Sequence, residues 1–418
     1  MNVIGFRCVL CDRELPAEHP GYTCPDCGAE GILDVQYDYE RARAELTAAS
    51  LAADPRRDIW RYAPLLPAPP PDPWPGLPVG GTPLLSPGRL AQHLGLPGLL
   101  LKNDGQLPTG SLKDRASALA VAQALERGVT TVAGASTGNA ASSLAGLAAP
   151  AGLRAVIFVP ADAPPPKLAQ LRTYGALVVA VQGSYDQAFD LCLAATRRFG
   201  WYSRNTAYNP VLGEGKKTVS LELAEQLGWQ APDWIAVPVG DGCIIGGVGK
   251  GLRDLRALGL LDRMPRLLGV QAEGSAAIHN AWKAGKDRAA PVAPDTLADS
   301  ISVGQPRDAV KALRAVRDSD GQYVTVSDAA ILEAGRLLGR LAGVFAEPAA
   351  SASLAGVLAL RERGEIAPGQ TVVALITGVG LKDPQTTARG TAEPLTVAPD
   401  ESALDEVNAA LVKAALGD

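Results

Sequence analysis

The chain has 418 residues, of which 47% are hydrophobic and 20% are charged, and its formal net charge at pH 7 is −5. This composition is typical of a globular enzyme with a large core and excludes a disordered or fibrous protein. The sequence has no run of lysines or arginines that would indicate nucleic acid or an anionic membrane as a partner. Residues 1–30 hold no apolar core of signal-peptide length, and no stretch reaches the roughly 20 apolar residues that a membrane span needs. The sequence therefore predicts a cytoplasmic protein that acts on small molecules.

Four of the six cysteines lie near the N-terminus: Cys8, Cys11, Cys24 and Cys27. Two Cys-x-x-Cys pairs at this separation are typical of a tetrahedral site in which four thiolates bind one structural zinc ion. Two disulfides or redox-active thiols are the alternative, which a reducing cytoplasm disfavours. We expect residues 1–35 to form a zinc-ribbon-like segment whose folding depends on the metal.

Residues 36–97 are interpreted as a connector that leads into the large domain. They begin with a charged helical pattern, YDYERARAELTAA, and continue into a proline-rich stretch, APLLPAPPPDPWPGLPVGGTPLL. Consecutive prolines force an extended backbone and end helices, so we expect a linker up to about residue 80.

From residue 98 onward, short apolar runs alternate with helical patterns such as SLKDRASALAVAQALERG and EGKKTVSLELAEQLG. The runs are apolar throughout, which is expected of strands buried on both faces. Their alternation with helices predicts an α/β fold with mostly parallel sheets. The predicted strands are GLLLKND, TTVAGAS, RAVIFVP, ALVVAVQ, DWIAVPVG, RLLGVQAE, YVTVSD and TVVALITGVG.

In such folds, ligands bind where the carboxyl ends of strands run into loops and helices. Four of these junctions stand out: PTGSLKDR, ASTGNAA, PVGDGCIIGG and TGVGLKD. The first places Lys113 at a helix start, where the helix dipole disfavours a cation but where a phosphate or a reactive carbonyl would be favourable. The third is a glycine loop that lacks the lysine and hydroxyl of an ATP-binding loop. A reactive lysine together with a phosphate loop predicts pyridoxal 5'-phosphate as the cofactor.

Seven motifs in order, GGTPLL, PTGSLKDR, STGNAA, EGKKT, PVGDG, EPAASASLAG and TGVGLKDP, resemble the fold-type-II pyridoxal-phosphate enzymes, and among them threonine synthase and its relatives. The resemblance covers about residues 80–385. It implies a fold like that of the tryptophan synthase beta chain, with two doubly wound parallel-sheet domains and the cofactor between them. We assign residues 98–190 to the small domain, residues 191–390 to the large domain and residues 391–418 to a C-terminal tail with a helix. A homodimer is the expected assembly.

The resemblance also implies individual roles. Lys113 would be the Schiff-base lysine, Asn139 the partner of the pyridine hydroxyl and Thr377 the partner of the pyridine nitrogen. The backbone N–H groups of the glycine loop would bind the cofactor phosphate, and the STG turn would bind the substrate carboxylate. The loop residues are Gly240, Asp241, Gly242, Cys243 and Ile244, and the turn residues are Ser136, Thr137 and Gly138.

Each assignment has a structural alternative. Lys113 could be a solvated helix-end lysine, Asn139 a helix cap and Thr377 a strand-end residue with a local hydrogen bond. We expect Glu347 to be structural rather than catalytic. The three histidines lie in none of the motifs, so a histidine-based triad is not supported.

Two departures from the family leave the substrate open. Threonine synthases typically carry an arginine shortly before EGQKT for the phosphate of O-phosphohomoserine, but this chain has Leu212 and Gly213 there. They also commonly have two asparagines in the glycine loop, where this chain has Asp241 and Ile244. Loss of a charge-assisted arginine contact weakens phosphate binding unless other cations replace it. The candidates in the sequence are Lys102, Lys216 and Lys217.

Three functions therefore remain open at the level of the sequence. The first is a threonine synthase, which converts O-phospho-L-homoserine and water to L-threonine and phosphate. The second is β-elimination or β-replacement on serine, threonine or a phosphoserine-like amino acid, as in dehydratases and cysteate synthase. The third is a zinc-ribbon interaction protein that has lost catalysis, against which the retained SLKDR and STGN motifs argue.

Overall fold

Thirteen β-strands form three separate sheets in the computed structural model, which describes residues 2–163, 165–389, 391 and 393–416. The strands are β1 (Val3–Cys8), β2 (Glu14–Pro16), β3 (Leu33–Tyr37), β4 (Leu84–Leu85), β5 (Leu99–Asn103), β6 (Thr131–Ala135), β7 (Arg154–Pro160), β8 (Leu177–Val181), β9 (Tyr202–Ser203), β10 (Trp234–Pro238), β11 (Arg266–Ala272), β12 (Gln322–Val326) and β13 (Val372–Ile376). All eight strands predicted from the apolar runs are confirmed.

Fifteen α-helices lie between and around the strands within these residues. They are α1 (Tyr39–Glu45), α2 (Ala48–Ala53), α3 (Gly88–Leu94), α4 (Lys113–Glu126), α5 (Asn139–Ala148), α6 (Pro165–Thr173), α7 (Tyr185–Phe199), α8 (Val211–Gln226), α9 (Cys243–Leu258), α10 (Ala277–Lys283), α11 (Ala309–Asp318), α12 (Asp328–Ala342), α13 (Pro348–Glu362), α14 (Pro384–Ala388) and α15 (Leu404–Leu416). None of the helices described is long and apolar enough to cross a membrane.

The large sheet has the strand order β12-β11-β10-β13-β5-β4, and only the short edge strand β4 runs antiparallel. Its central strands are buried on both faces. Ile235 and Val237 of β10 pack toward α8, α9 and α11, whereas Trp234 and Ala236 pack toward α12 and α13. Because alternate residues of one strand meet two different helix layers, the strand is apolar at every position.

The small sheet has the order β8-β7-β6-β9, with every pair parallel. Helices α4 and α5 cover one face and α7 covers the other. Strand β8 is an edge strand and is only half-buried, so the expectation of burial on both faces is wrong for ALVVAVQ.

The predicted domain boundaries need correction at both ends of the small domain. Strand β5 pairs with β13 and therefore belongs to the large sheet, although we assigned residues 98–190 to the small domain. Strand β9 pairs with β6, so the small sheet extends to Ser203, beyond the predicted boundary at residue 190. The chain thus crosses between the sheets just before α4 and just before α8.

The N-terminal segment forms an antiparallel sheet with the order β2-β1-β3. It is anchored to the large domain by two tyrosines, because Tyr37 donates to Glu214 at 2.8 Å and Tyr39 donates to Asp254 at 2.6 Å. The following connector is also packed rather than free. Ile59, Trp60, Tyr62, Leu65 and Leu66 are all buried, which corrects the expectation of a linker over this stretch.

Candidate functional site

The site lies where the carboxyl ends of β5, β6, β10 and β13 face a cleft between the two sheets. A cavity of about 530 Å³ is lined by Lys113, by the turn that precedes α5 and by Arg204. A second, smaller cavity is lined by Lys113, Lys216, Thr377 and the glycine loop before α9. Lys113 lies between the two cavities, because it lines both.

Lys113 is the first residue of α4, and its ammonium has no hydrogen-bond or ion-pair partner among the residues that the structure describes. Burial, followed by the positive charge of Lys216, lowers the pKa of Lys113 from 10.5 to about 8, although the Glu347 carboxylate acts in the opposite direction. An unpartnered amine with this pKa is partly deprotonated near neutral pH and can act as a nucleophile or a base. The alternative of a solvated helix-end lysine does not fit this environment.

The two residues after Lys113 fix its position. Asp114 accepts hydrogen bonds from the backbone N–H and the hydroxyl of Thr109 and so closes the turn before α4. Arg115 is fully buried and donates to Asp104 at 2.7 and 2.9 Å and to Glu222 at 3.0 Å. These contacts tie the start of α4 to β5 and α8, so that Lys113 projects from a rigid support.

Helices α4 and α8 cross unusually closely beneath this support. A Cβ atom on Gly215 would lie 2.3 Å from the carbonyl oxygen of Arg115, a distance that no side chain tolerates. Glycine in the EGKKT motif is therefore required by the approach of the two helices.

The glycine loop runs from the end of β10 into α9, as predicted. Gly242 has φ +91°, and a Cβ atom there would lie 2.9 Å from the carbonyl oxygen of Asp308, so only glycine fits. The first N–H groups of a helix lack intrahelical partners, and the helix dipole favours an anion at this end. Gly240, Asp241, Gly242, Cys243 and Ile244 all line the smaller cavity.

Asp241 is one of the two loop residues that depart from the pattern of the resembled family, and its carboxylate is bound within the loop. It accepts from the backbone N–H of Arg307 at 2.6 Å and from the thiol of Cys243 at 3.3 Å. Burial raises the pKa of Asp241 to about 6. Its carboxyl group is therefore neutralised more easily than that of an exposed aspartate, and it repels a bound phosphate less.

The turn of Ser136, Thr137 and Gly138 lines the larger cavity and leads directly into α5. The Ser136 hydroxyl accepts a hydrogen bond from the backbone N–H of Gly138 at 3.2 Å. A turn of small residues at a helix N-terminus can bind a carboxylate, so the structure offers a suitable place for the predicted contact.

Asn139 lies at the same turn, and its amide donates to both carboxylate oxygens of Glu347, at 2.9 and 3.0 Å. Its contact with a cofactor hydroxyl remains a prediction. Glu347 was not predicted as a site residue, yet it is buried beside Asn139 and faces a cavity that also contains Lys382. Burial raises the pKa of Glu347, against the hydrogen bond from Asn139 and the charge of Lys113. In the sequence, the only feature that marks Glu347 is its position directly before the small-residue helix α13.

The three lysines proposed for a substrate phosphate occupy different places. Lys102 is fully buried away from the cleft, where it pairs with Glu222 and donates to the Thr82 carbonyl at 2.7 Å. The prediction that it binds substrate is therefore wrong, because its side chain points into the polar core of the large domain.

Lys217 is also structural, since its ammonium lies 2.7 Å from a carboxylate oxygen of Asp254. Lys216 is different, because it lines the smaller cavity beside the glycine loop. Lys216 therefore lies beside the predicted site of the cofactor phosphate. It does not line the larger cavity, where we expect the substrate to bind.

The residues of the smaller cavity fit pyridoxal phosphate. The loop supplies a cradle that a Cβ atom would fill, Lys113 supplies a free amine and Lys216 supplies a cation. Thr377 follows β13, is buried and lines the same cavity, so its hydroxyl is available to a ring nitrogen. This donor set matches the aldehyde, phosphate and ring nitrogen of the cofactor.

The four N-terminal cysteines also meet as predicted. The sulfur atoms of Cys8, Cys11, Cys24 and Cys27 all lie within 4.8 Å of one another. The Cys8 sulfur accepts a hydrogen bond from the backbone N–H of Leu10 at 3.4 Å, which is a contact that favours a thiolate.

Comparison with known proteins agrees with this geometry. Residues 76–378 match the family model described as pyridoxal-phosphate dependent enzyme. The chain is 38% identical over 405 residues to the threonine synthase of Methanocaldococcus jannaschii, and 39% identical over 407 residues to that of Methanosarcina acetivorans. Each alignment covers 96% of this chain and 98% of the relative. Among solved structures, the processed threonine deaminase isoform 2 of Solanum lycopersicum has a TM-score of 0.63 at 22% identity, over 74% of this chain and 87% of that one.

Proposed function

Because the chain belongs to the pyridoxal-phosphate dependent enzymes, and to the threonine synthase-like enzymes among them, we propose that it converts O-phospho-L-homoserine and water to L-threonine and phosphate. The observation that carries the proposal is the similarity over 96% of the chain to threonine synthases, combined with an unpartnered Lys113 between two cavities. The enzyme is a lyase, and its substrate is a small amino acid.

The smaller cavity holds the cofactor in this proposal. When bound, pyridoxal phosphate withdraws electrons from the substrate and makes protons next to the amino-bearing carbon easier to remove. The glycine loop and Lys216 would bind its phosphate, and the Thr377 hydroxyl would be available to its ring nitrogen. A neutral hydroxyl does not hold that nitrogen protonated as a carboxylate would, which favours expulsion of a leaving group.

Lys113 moves the protons. Its pKa of about 8 lets the amine accept a proton from the α-carbon and return one later, near neutral pH. The charge of the Glu347 carboxylate raises the pKa of Lys113, and Glu347 is fixed by Asn139, so it can stabilise the protonated amine between two transfers. The turn of Ser136, Thr137 and Gly138 orients the substrate through its carboxylate.

We also propose that Cys8, Cys11, Cys24 and Cys27 bind one structural zinc ion. Four thiolates complete a tetrahedral shell and leave no open position for catalysis. The ribbon packs on α11, since Lys311 donates to the Leu33 carbonyl at 2.7 Å and Arg314 donates to the Val9 carbonyl at 3.2 Å. The metal therefore supports the part of the large domain that carries the glycine loop.

A substrate panel on the purified holoenzyme tests the proposal. O-phosphohomoserine, phosphoserine, serine and threonine are supplied in parallel, and threonine, oxoacid and phosphate are measured. We expect stoichiometric threonine and phosphate from O-phosphohomoserine alone, and no turnover in Lys113→Ala. Oxoacid formation from serine or threonine at a higher kcat/KM would replace the proposal with β-elimination.

A further inference from the structure

Arg204 is a buried arginine that the sequence analysis did not single out. It follows β9 at the small-sheet edge of the cleft, where its backbone N–H donates to the Ala133 carbonyl at 2.7 Å. The residue is 2% exposed and lines the larger cavity together with Lys113 and the turn before α5. The chain therefore places a guanidinium at the wall of the substrate cavity.

The hydrogen bonds of this guanidinium are incomplete. Its Nε donates to the Ser117 hydroxyl at 3.1 Å and its Nη1 to the Thr206 hydroxyl at 2.9 Å, but its buried Nη2 has no acceptor in the part of the chain described. No carboxylate of the described residues forms an ion pair with Arg204. Arg115 differs sharply, because it is equally buried but is paired with both Asp104 and Glu222.

A buried cation without a counter-charge is unfavourable, and it is retained where an anion binds. Burial lowers the pKa of Arg204 to about 10, although the charges of Cys243, Asp114 and Tyr185 act in the opposite direction. Arg204 also repels Lys113, whose pKa it lowers. An anion in the larger cavity would relieve both effects.

Arg204 lines the larger cavity and not the smaller one. The smaller cavity is lined by Lys216 and the whole glycine loop, whereas the larger cavity is lined by Arg204, by the turn for the substrate carboxylate and by Asp241 alone of the loop. The two cavities thus have separate cations for two separate phosphates.

We propose that Arg204 binds the phosphate of the phosphorylated amino-acid substrate, and that it replaces the arginine absent from positions 212 and 213. This inference rests on the proposed function. The bond between the γ-carbon and the ester oxygen breaks, and the electron pair leaves with the phosphate. The γ-carbon gains one hydrogen and becomes the methyl group, the β-carbon loses one hydrogen, and water adds its hydroxyl at the β-carbon and gives its remaining proton to the phosphate. A guanidinium at the phosphate stabilises the charge that develops on this leaving group.

The test compares Arg204→Gln, Arg204→Lys and wild-type holoenzyme, with Arg154→Gln as a matched control. Arg154 is exposed at the start of β7 in the same domain, and its guanidinium donates to the Thr130 hydroxyl at 3.1 Å. We expect Arg204→Gln to lower kcat/KM for O-phosphohomoserine about 10- to 100-fold and to weaken competitive inhibition by inorganic phosphate by a similar factor. Arg204→Lys retains the charge without the planar fork, so its effect is expected to be intermediate.

Two further measurements identify the group that Arg204 binds. The binding of L-threonine, which has a carboxylate but no phosphate, and the visible absorbance of the bound cofactor are expected to be unchanged in both variants. An equal loss of threonine and phosphate binding would assign Arg204 to the substrate carboxylate and overturn the inference. Loss of the cofactor, or unchanged inhibition by phosphate, would also overturn it.

The outcomes separate this inference from the proposed function. If wild-type enzyme does not turn over O-phosphohomoserine, but inorganic phosphate binds to it and not to Arg204→Gln, the proposed function fails and the anion site at Arg204 stands. If Arg204→Gln does not fold, Arg204→Lys carries the same comparison, and a phosphate affinity equal to that of wild type would then contradict the inference.

Discussion

Replacing Lys102 with methionine separates a structural lysine from a substrate-binding one. The ammonium of Lys102 is fully buried and donates to the Thr82 carbonyl at 2.7 Å, to the Gln226 side chain at 2.8 Å and to Glu222. Methionine keeps most of the aliphatic stem but removes the charge. The variant therefore leaves Glu222 in a buried site with Arg115 as its remaining cationic partner.

The size of the effect follows from Glu222. Burial alone would raise the pKa of Glu222, but Arg115 and Lys102 together lower it from 4.5 to about 2. At 1.36 kcal/mol for each pKa unit, this difference corresponds to about 3 kcal/mol of stabilisation of the carboxylate, shared by the two cations. Removing one partner of a buried ion pair typically costs about 3–5 kcal/mol, so we expect Lys102→Met to lower the free energy of unfolding by about 3 kcal/mol.

Urea unfolding of the holoenzyme at pH 7 measures this loss, and steady-state kinetics measure the KM for O-phosphohomoserine. We expect a lower urea midpoint with an unchanged KM, whereas the exposed Lys283→Met should change neither. In wild type, the contribution of Glu222 is present above pH 4.5 and is lost as the pH falls toward 2. In the variant the folded-state pKa of Glu222 is higher, so the loss should be smaller and should end at higher pH. A tenfold higher KM with unchanged stability would refute the structural reasoning.

Four further predictions address the cleft and the ribbon. Lys113→Ala should abolish both turnover and the visible absorbance of the bound cofactor; normal turnover would disprove its assignment. The rate at which apoenzyme rebinds pyridoxal phosphate should rise with pH around a midpoint near 8, because only the deprotonated Lys113 amine reacts; a midpoint near 10.5 would contradict the effect of burial. Lys216→Met should weaken cofactor binding about tenfold, since it removes one charge-assisted contact, and equal cofactor affinity in equilibrium dialysis would argue against its place beside the phosphate. Metal analysis of reduced protein should find one zinc per chain in wild type and in Cys192→Ser but none in Cys24→Ser, and wild type without zinc would rule out the metal site.

The sequence predicted the elements that depend on local patterns. Uninterrupted apolar runs identify strands such as β6 and β10, because these strands are covered by helices on both faces. The same pattern fails to distinguish the half-buried edge strand β8, since its exposure depends on the absence of a neighbouring strand. Domain boundaries were misplaced for a related reason: the pairing of β5 with β13 joins segments more than 250 residues apart.

Lys102 and Lys216 show why the residue type at the end of a strand or helix is not enough to predict that the residue binds substrate. Lys216 lies within the EGKKT motif, Lys102 lies near the end of strand β5, and both are buried lysines. The direction of a side chain from its strand or helix decides whether it faces the cleft or the core. Lys102 meets Glu222, 120 residues away, and nothing in the local sequence of either residue indicates that pair.

Arg204 illustrates the converse case, because a residue that we propose to bind substrate lies in no sequence motif. It stands in YSRNT after a strand of two residues, which is too short to produce a periodic signal. Its significance arises only when β9 pairs with β6 and brings the guanidinium beside the cavity of Lys113. A dianionic leaving group needs a cation in the cleft, but that cation does not have to come from a particular helix. In the proposed function, Arg204 after β9 can therefore take the place of the arginine that is absent near α8. The position of the charge in space, rather than its position in the motif, is therefore what the reaction constrains.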